Sequence, residues 1–282
     1  YQGAPSHTGY VPVTTSGRGI LPLWTRTFPA PLNPPAIGGG RVFVTESGRF
    51  QTNVGLHALD ALSGVTVWSL PDFGDVSSVN PPAFANGSVY VQTGKGFNVT
   101  DPYLYGLDAA TGTQRFRVPF GAQWERYLAP TPYQGDVYVN GGYYGGAYRF
   151  DGTDGSERWF AGLEQYDGWT PAVDATYVYA YVGEYAPALY VRDRQTGAAA
   201  FSIADPNFEW NGWTMDTAPV LTHDGDVLEY VWDHPQVRPI EKELPYYVAL
   251  PTTSGTGSEV GRSAVVSEND THVKRTVFSP KI

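Results

Sequence analysis

The sequence predicts an all-β fold built from repeated four-stranded modules, and one recurring pattern carries that prediction. Four times an apolar strand is followed by Asp, three residues, Gly, three residues and a Trp or Phe. The Asp residues of the four copies lie 48, 43 and 42 positions apart. The copies are Asp60–Gly64–Trp68, Asp108–Gly112–Phe116, Asp151–Gly155–Trp159 and Asp193–Gly197–Phe201. A period of about 40–50 residues made of short strands is typical of a β-propeller, in which each repeat forms one blade.

The composition supports a strand-rich class. The 282 residues are 15% aromatic and include 33 Gly and 23 Pro, which interrupt regular structure at turns. Aromatic side chains favour half-buried strands, and long runs of Ala, Leu, Glu and Lys are missing. A helical bundle is therefore not expected, and the aromatic content is too high for a disordered chain.

Charge and cysteine content narrow the function classes. The formal net charge is -10, and the sequence has no basic stripe that would bind the phosphates of a nucleic acid. No apolar run reaches the length of about 18 residues that a membrane-spanning helix needs. The absence of Cys excludes disulfides and thiolate chemistry. The chain begins with Tyr1 rather than Met, which suggests a trimmed signal peptide or an engineered start.

Each repeat has further landmarks that predict the other strands of a blade. A Pro followed by a small or apolar residue opens the first strand, and an alternating run forms the second. The strand-opening pairs are Pro35-Ala36, Pro82-Ala83, Pro132-Tyr133, Pro171-Ala172 and Pro219-Val220. Apolar residues before each Asp form the third strand, and the Trp or Phe lies in the fourth. In the turn between them, the Asp side chain can bond its own backbone and the Gly can adopt a positive φ.

One element lies outside this order. Leu23–Arg26 resembles a fourth strand with no Asp turn before it. Because an N-terminal strand commonly completes the last blade of a propeller, Gly19–Phe28 is expected to close the ring. The alternative is a strand that lies on the surface of the domain.

The repeat carries a family resemblance. It reads roughly Val-Tyr-Val, then Leu-x-Ala-Leu-Asp-Ala-x-Thr-Gly-x-x-x-Trp, and its best copy is Leu104–Phe116. Over about residues 19–228 this pattern resembles the pyrroloquinoline-quinone-like β-propeller repeat. Relatives of that kind include quinoprotein alcohol dehydrogenases, outer-membrane assembly scaffolds and secreted propellers of unknown role. The resemblance implies a propeller over residues 1–228 and a periplasmic or secreted location.

The segment 229–282 does not continue the repeat. Its run Pro251–Glu259, Pro-Thr-Thr-Ser-Gly-Thr-Gly-Ser-Glu, resembles a signature of iron-containing (group III) alcohol dehydrogenases. In that family small residues let backbone N–H groups approach the cofactor phosphates. The residues that would carry this role here are Ser254, Gly255, Thr256, Gly257 and Ser258. The family's nucleotide-binding turn and its metal-binding Asp and His residues are missing, so NAD or iron binding is not expected.

The repeat is lost abruptly near Glu229–His234, which suggests a joint between two unrelated genes. Strands are still expected in this tail, at Tyr246–Leu250, Ser263–Ser267 and Val273–Phe278. Packed as extra strands on the propeller, they would form a fifth, improvised blade beside the four clear repeats.

Three segments that precede strand-opening prolines carry the side chains best suited to binding. In a propeller the loops that lead into the innermost strands meet at the mouth of the central channel, so these segments would share one rim. Flat aromatic rings beside amides and carboxylates suit a sugar, another small molecule or a cation. The candidate rim residues are Trp124, Glu125, Arg126, Tyr127, Gln165, Asp167, Trp169, Trp213 and Asp216. The alternative is that their Trp side chains wedge between blades.

These features favour a binding or scaffold protein with a small molecule or carbohydrate as ligand, and they leave open whether the chain is an enzyme. A hydrolase of esters, lactones or glycosides at the channel mouth is the first alternative, with Glu125 and Asp167 as a conceivable carboxylate pair. A quinone-dependent oxidoreductase, holding pyrroloquinoline quinone against a Trp together with calcium, is the second and rests on the resemblance. The vicinal Cys pair usual in those dehydrogenases is absent, so no cofactor is expected.

Two further expectations concern metals and partners. The five His residues lack the spacing of a zinc site, and His57 is expected to be structural. An incomplete ring would expose blade edges. This chain is therefore expected to be able to form a homodimer through such an edge.

Overall fold

The computed structural model divides the chain into two compact units. The first contains residues 15–220 and the second residues 221–282, while the first fourteen residues are shared between them. The described residues are 4–7, 21–47, 55–74, 76, 78–94, 101–122, 128–164, 168–183, 187–204, 219, 221, 263–267 and 274–278. In this described part, no helix is long and apolar enough to cross a membrane.

The first unit contains four antiparallel sheets of four strands, which confirms the predicted all-β fold and its four blades. The first two blades are β1 (Ala36–Gly38), β2 (Arg41–Thr45), β3 (Leu56–Asp60) and β4 (Thr66–Leu70), then β5 (Ala83–Ala85), β6 (Ser88–Gln92), β7 (Tyr103–Asp108) and β8 (Gln114–Pro119). The third and fourth are β9 (Thr131–Tyr133), β10 (Asp136–Asn140), β11 (Gly146–Asp151) and β12 (Glu157–Gly162), then β13 (Ala172–Val173), β14 (Tyr177–Val182), β15 (Ala188–Asp193) and β16 (Ala199–Ala204). The first strands of successive blades contact one another, so they are the inner strands of a propeller.

The register of the third blade corrects one prediction. In the other blades, the residue after the proline pairs with the central aromatic residue of the second strand. In the third blade that residue is Thr131, which pairs with Tyr138. The preceding proline is therefore Pro130, and the prediction that Pro132 opens the strand is wrong. Pro132 lies inside β9 and is tolerated because the inner strand pairs on one side only.

The Asp-x-x-x-Gly segment forms the same turn in all four blades. In the second blade, Asp108 Oδ1 accepts hydrogen bonds of 3.0 Å from the backbone N–H groups of Ala110 and Thr111. The Arg115 guanidinium, 2.6 Å from Oδ2, and the bonds from Thr111 lower the pKa of Asp108 to about 2. The glycines take left-handed φ values, which are 69° at Gly64, 76° at Gly112, 75° at Gly155 and 73° at Gly197. This confirms the turn predicted from the repeat.

Neighbouring blades meet where the fourth-strand aromatic residue of one blade covers the turn glycine of the next, a contact called a joint here. Trp68 covers Gly112 and Trp159 covers Gly197, and a Cβ added to either glycine would lie 2.8 Å from the ring. Each indole N–H also donates a 3.0 Å hydrogen bond to the residue after the next blade's Asp. The acceptors are the carbonyls of Ala109 and Arg194. The period of the repeat therefore sets how far apart in sequence the Trp of one blade and the turn glycine that it contacts in the next blade lie.

The joint between the second and third blades uses a different donor. Phe116 covers Gly155, where an added Cβ would lie 2.5 Å from the ring. Phe has no N–H group, and the Tyr90 hydroxyl instead donates a 2.9 Å hydrogen bond to the Gly152 carbonyl. Gly152 follows Asp151, so the acceptor holds the same place as in the other joints.

In the part of the chain that the structure describes, the hydrophobic core contains three clusters, each shared by two neighbouring blades. They include Phe43, Leu56, Val89 and Leu107 in the first cluster, Tyr90, Phe116, Val137 and Phe150 in the second, and Tyr138, Trp159, Trp169 and Val178 in the third. Because a middle blade packs on both of its faces, all five residues of β6 and of β10 are buried.

The segment before the first blade departs from its prediction. Residues 21–28 form no strand, so the closing strand expected over Gly19–Phe28 is not found in its described part. Trp24 still takes the position of a joint aromatic on the first blade. It lies on Gly64, and its indole N–H donates a 3.0 Å hydrogen bond to the Ala61 carbonyl.

The second unit contains one described sheet. Strands β17 (Ser263–Ser267) and β18 (Lys274–Phe278) pair antiparallel, with Ser263 opposite Phe278. This confirms two strands predicted in the tail. The third, Tyr246–Leu250, lies outside the described residues.

Candidate functional site

Each blade has one end at which its second strand finishes, its third strand begins and the chain enters the first strand. This end is called the rim here, and the opposite end carries the Asp-x-x-x-Gly turns. In the third blade the rim includes Asn140, the segment 141–145 and the residues just before β9. This is the end at which the sequence analysis expects the ligand-binding segments.

A row of buried polar side chains ties the rim of one blade to the next. It consists of Thr45, Gln92 and Asn140, each at the last position of a second strand. Thr45 Oγ1 donates a 2.9 Å hydrogen bond to the Asn80 carbonyl, and Gln92 Nε2 donates to the Asn140 carbonyl. These bonds satisfy buried polar groups. The Thr45 bond holds the segment that leads into β5, and the Gln92 bond joins the last position of β6 to the last position of β10.

Trp169 is the one predicted rim residue that the structure describes, and it lies in the interior. Its side chain is 0% exposed and belongs to the third core cluster. Its carbonyl accepts a 3.3 Å hydrogen bond from Asn140 Nδ2, the last member of the polar row. A buried indole offers no face to a ligand, so Trp169 fits the alternative in which the Trp wedges between blades. The reason is that the indole loses more water contact between two blades than it would at the rim.

The other eight candidate rim residues lie outside the described residues. They are Trp124, Glu125, Arg126, Tyr127, Gln165, Asp167, Trp213 and Asp216. The structure therefore leaves the proposed carboxylate pair, Glu125 with Asp167, as a prediction.

Two exposed tyrosines at the rim were missed by the sequence analysis. Tyr143 is 53% exposed and Tyr144 is 79% exposed, and both lie between β10 and β11 of the third blade. Gly142 and Gly145 flank them with φ values of 94°, and the Gly142 N–H donates to the Gly121 carbonyl. Glycines on both sides therefore present an aromatic pair to solvent. The sequence signal was the run Gly-Gly-Tyr-Tyr-Gly-Gly at 141–146.

A buried histidine connects the N-terminal residues to the third and fourth blades. His7 Nε2 lies 3.2 Å from Thr131 Oγ1, and His7 Nδ1 lies 2.9 Å from the Pro219 carbonyl. The Val173 N–H donates a 2.9 Å hydrogen bond to the Pro5 carbonyl. Burial lowers the pKa of His7 to about 4, so the imidazole is neutral at pH 7. Residues 4–7 thus act as a peg beside the inner strands β9 and β13 of these two blades.

The joint between the third and fourth blades also contains buried charges. Asp136 Oδ2 lies 2.7 Å from Arg149 Nη2 and 3.8 Å from Arg194 Nη1. Arg149 Nη1 donates 3.0 Å hydrogen bonds to the carbonyls of Arg194 and Gln195. The cluster is at the end opposite the rim, and it pairs the buried Asp136 and Arg194 with the partly buried Arg149. We assign it a structural role.

A serine, a histidine and a glutamate form a hydrogen-bonded chain on the first blade. Ser69 Oγ lies 2.8 Å from His57 Nδ1, and His57 Nε2 lies 3.3 Å from Glu46 Oε1. The Gly55 N–H donates a 3.4 Å hydrogen bond to Glu46 Oε2, which orients the carboxylate. The pairing of His57 with Ser69 across β3 and β4 brings the side chains together. These contacts hold His57 within the sheet. Ser69, His57 and Glu46 also follow the order of a nucleophile, a base and an orienting acid.

The described residues do not fit a metal or quinone site. Nowhere among them do three His, Asp or Glu side chains converge in a way that could hold a metal ion. The one described rim indole, Trp169, is enclosed by protein on all sides and has no face for a quinone to stack on. No step of a reaction is therefore assigned to calcium or pyrroloquinoline quinone.

The blades, their joints and the inner strands define the class as a β-propeller of pyrroloquinoline-quinone-like repeats. Residues 21–100 and 53–207 match the family described as outer membrane protein assembly factor BamB. Because the match covers more than half of the chain, the chain belongs to this family.

The tail matches a second family. Residues 211–282 match the family described as iron-containing alcohol dehydrogenase, which confirms the resemblance seen in the sequence. The match begins at residue 211 rather than at the predicted 229.

Several known proteins are similar to parts of the chain. Choline dehydrogenase of Bacillus subtilis (strain 168) is 37% identical over 75 residues, which are 25% of this chain and 18% of that protein. BamB from Moraxella catarrhalis has 17% identity and a TM-score of 0.46, over 64% of this chain and 66% of that one. Quinohemoprotein alcohol dehydrogenase from Comamonas testosteroni has 19% identity and a TM-score of 0.45, over 61% and 35%. The chain thus spans less than two thirds of each of these proteins.

Proposed function

We propose that this chain is an extracytoplasmic scaffold for outer-membrane protein assembly that binds a polypeptide through its rim. The observation that carries the proposal is the family match of residues 21–207, which is to an outer membrane protein assembly factor. The location follows from that role, because outer-membrane proteins assemble outside the cytoplasm.

The rim of the third blade supplies the binding surface. Tyr143 and Tyr144 are exposed, and tyrosines provide contact area and a hydroxyl while losing few rotamers on binding. Tyr143 and Tyr148 both lie against Gly121, where an added Cβ would be 3.3 and 3.0 Å from them. Tyr148 packs against Phe160 and Phe120, with ring centroids 4.4 and 6.0 Å apart. The Tyr148 hydroxyl accepts a 3.1 Å hydrogen bond from the Gly121 N–H. The exposed pair thus lies beside a packed aromatic cluster, which favours binding without reorganisation.

The test uses an outer-membrane β-barrel protein, labelled and diluted out of urea, as the probe. Its fluorescence anisotropy is measured against the full chain. The double variant Tyr143→Ser/Tyr144→Ser should raise Kd at least tenfold. The control is Leu62→Ser, because Leu62 is 77% exposed but lies in a turn at the opposite end. Equal losses from both variants, or no binding by the wild type, would contradict the proposal.

A second candidate function, ester hydrolysis, is favoured by the Ser69–His57–Glu46 chain. In this reaction Ser69 Oγ attacks the ester carbonyl while its proton passes to His57 Nδ1, and Glu46 stabilises the imidazolium through Nε2. The same proton then moves to the departing alcohol as the ester C–O bond breaks. Water, deprotonated by His57, attacks the acyl-serine, releases the acid and restores the Ser69 hydroxyl.

The chain contains a matched control for this candidate. Ser202 occupies the position of Ser69 in the fourth blade, but it pairs with Tyr190 instead of a histidine. A fluorophosphonate probe should label Ser69 and leave Ser202 unmodified in peptide mass analysis. His57→Gln should abolish the labelling and the release of p-nitrophenol from p-nitrophenyl acetate. Equal labelling of both serines would show that Ser69 is an ordinary surface hydroxyl.

A further inference from the structure

Among the described residues, no blade packs on the outer face of the fourth blade. Every residue of β16 is exposed, including Phe201 at 49% and Ile203 at 57%. In the second blade the corresponding residues are Phe116 and Val118, which both lie within 3 Å of where a Cβ on Gly155 would be. The described residues supply no turn of this kind for Phe201, so the joint face of the fourth blade, Phe201 with Ile203, remains open to solvent.

The other end of the series carries the complementary surface. The turn Asp60–Gly64 of the first blade is covered by the segment 21–28 instead of a blade. Trp24 lies on Gly64, and Arg26 donates a 3.0 Å hydrogen bond to Thr66 Oγ1. The remaining side chains of this cover are poorly buried, with Leu21 84% and Leu23 71% exposed. A complete blade would bury a cluster of core residues at this place, as the three internal joints do.

A repeat series with a docking face at one end and a receiving turn at the other is complementary to itself, head to tail. We propose that two copies of this chain associate through these ends. Phe201 of each copy displaces Trp24 and covers Gly64 of the other copy, so two equal joints form and the pair is closed. The occupant of the open face is thus a second copy of this chain, argued from the three joints already present inside it.

In this association Phe201 of the other copy competes with the chain's own Trp24 for contact with Gly64, and the competition can be tested. Removing Trp24 empties the receiving turn, so it should strengthen the pair instead of weakening it. Most surface contacts behave in the opposite way, because truncating a large aromatic side chain at an interface weakens binding.

The experiment is sedimentation equilibrium of the full chain across a range of concentrations. The wild type should approach twice its 30.7 kDa mass as the concentration rises. Trp24→Ala should lower the midpoint of association at least tenfold, and the milder Arg26→Ala should lower it about threefold. Phe201→Glu should leave a monomer at every concentration, also in the Trp24→Ala background. The matched control is Ser202→Glu, which adds the same charge to the opposite face of the same strand and should still associate.

Three results would overturn the proposal. One is a wild type and a Trp24→Ala variant that both stay monomeric while circular dichroism shows them folded. A second is a pair that is indifferent to Trp24→Ala and Arg26→Ala, since the fourth blades would then contact each other directly. The third is equal association of Phe201→Glu and Ser202→Glu.

Discussion

The joint between the second and third blades and the joint between the third and fourth solve the same packing problem with different side chains. In both, an aromatic ring covers a left-handed glycine and a hydrogen bond reaches the carbonyl after the next Asp. In the joint of Phe116 the Tyr90 hydroxyl donates this hydrogen bond, whereas Trp159 donates it through its own indole N–H. Among the described residues, the third and fourth blades also share the ionic cluster around Asp136 at their joint and the His7 peg at their inner strands.

The difference shows which parts of a joint are fixed and which can be exchanged. The turn glycine and the carbonyl acceptor are backbone features, so they recur at the same place in each blade. The donor is a side chain, and either a Trp or a neighbouring Tyr can supply it. If this division holds, removing the ring should lower the free energy of unfolding more than removing the exchangeable donor.

The largest effect is expected from Trp159→Ala. This variant removes a ring that is 8% exposed, leaves a cavity above Gly197 and takes the donor from the Arg194 carbonyl. It should lower the free energy of unfolding by about 3–5 kcal/mol in urea titrations. The neighbouring Arg158→Ala is the control, because Arg158 is exposed and its loss should leave the free energy of unfolding nearly unchanged. A neutral Trp159→Ala would mean that the blades are not held together at this ring.

The buried His7 should make the free energy of unfolding depend on pH. The folded pKa of His7 is about 4, below its ordinary 6.5, because the imidazole is buried. The unfolded chain therefore binds more protons between these values, so the His7 contribution is complete above pH 6.5 and is lost as the pH falls toward 4. The loss should reach about 3 kcal/mol in unfolding titrations at each pH. In His7→Gln the free energy of unfolding should depend less on pH between about 4 and 6.5. A wild type whose free energy of unfolding does not change over this range would contradict the burial of His7.

The smallest effect is expected at the exchanged donor. Tyr90→Phe keeps the ring but leaves the Gly152 carbonyl without its 2.9 Å donor, which should cost about 1–2 kcal/mol. Adding Phe116→Trp in that background should recover most of the loss, because the indole N–H can then reach the carbonyl as it does in the other joints. Tyr144→Phe, at an exposed position, should be neutral by the same urea titration. No recovery in the double variant would show that the donors are not interchangeable.

The turns and strands of the blades could be read from the sequence because their causes are local. An Asp that bonds the backbone two and three residues on, and a Gly that takes a positive φ, act within five positions of each other. Pro132 misled the assignment of the third blade because a proline can stand either before an inner strand or inside it. Which of the two applies is decided by the register in which β9 pairs with β10.

The candidate site was harder to predict because its side chains act across blades. The sequence placed Trp169 at the rim, but it does not specify which neighbour lies over an aromatic ring. Asn140, which bonds the Trp169 carbonyl, comes 29 residues earlier on another blade. Tyr143 and Tyr144 were overlooked since a Gly-flanked Tyr pair resembles an ordinary turn until its exposure is known. The Ser69–His57–Glu46 chain joins β4, β3 and the residue after β2, and it has no signature in one dimension.

The sequence by itself determined the repeat, its turns and the change of family in the tail, because each depends on residues close together in the chain. The tertiary structure alone decided which aromatic residues cover a glycine, which are buried between blades and which face solvent. Those outcomes depend on contacts between residues about 40 positions apart, and such contacts exist only once neighbouring blades have packed.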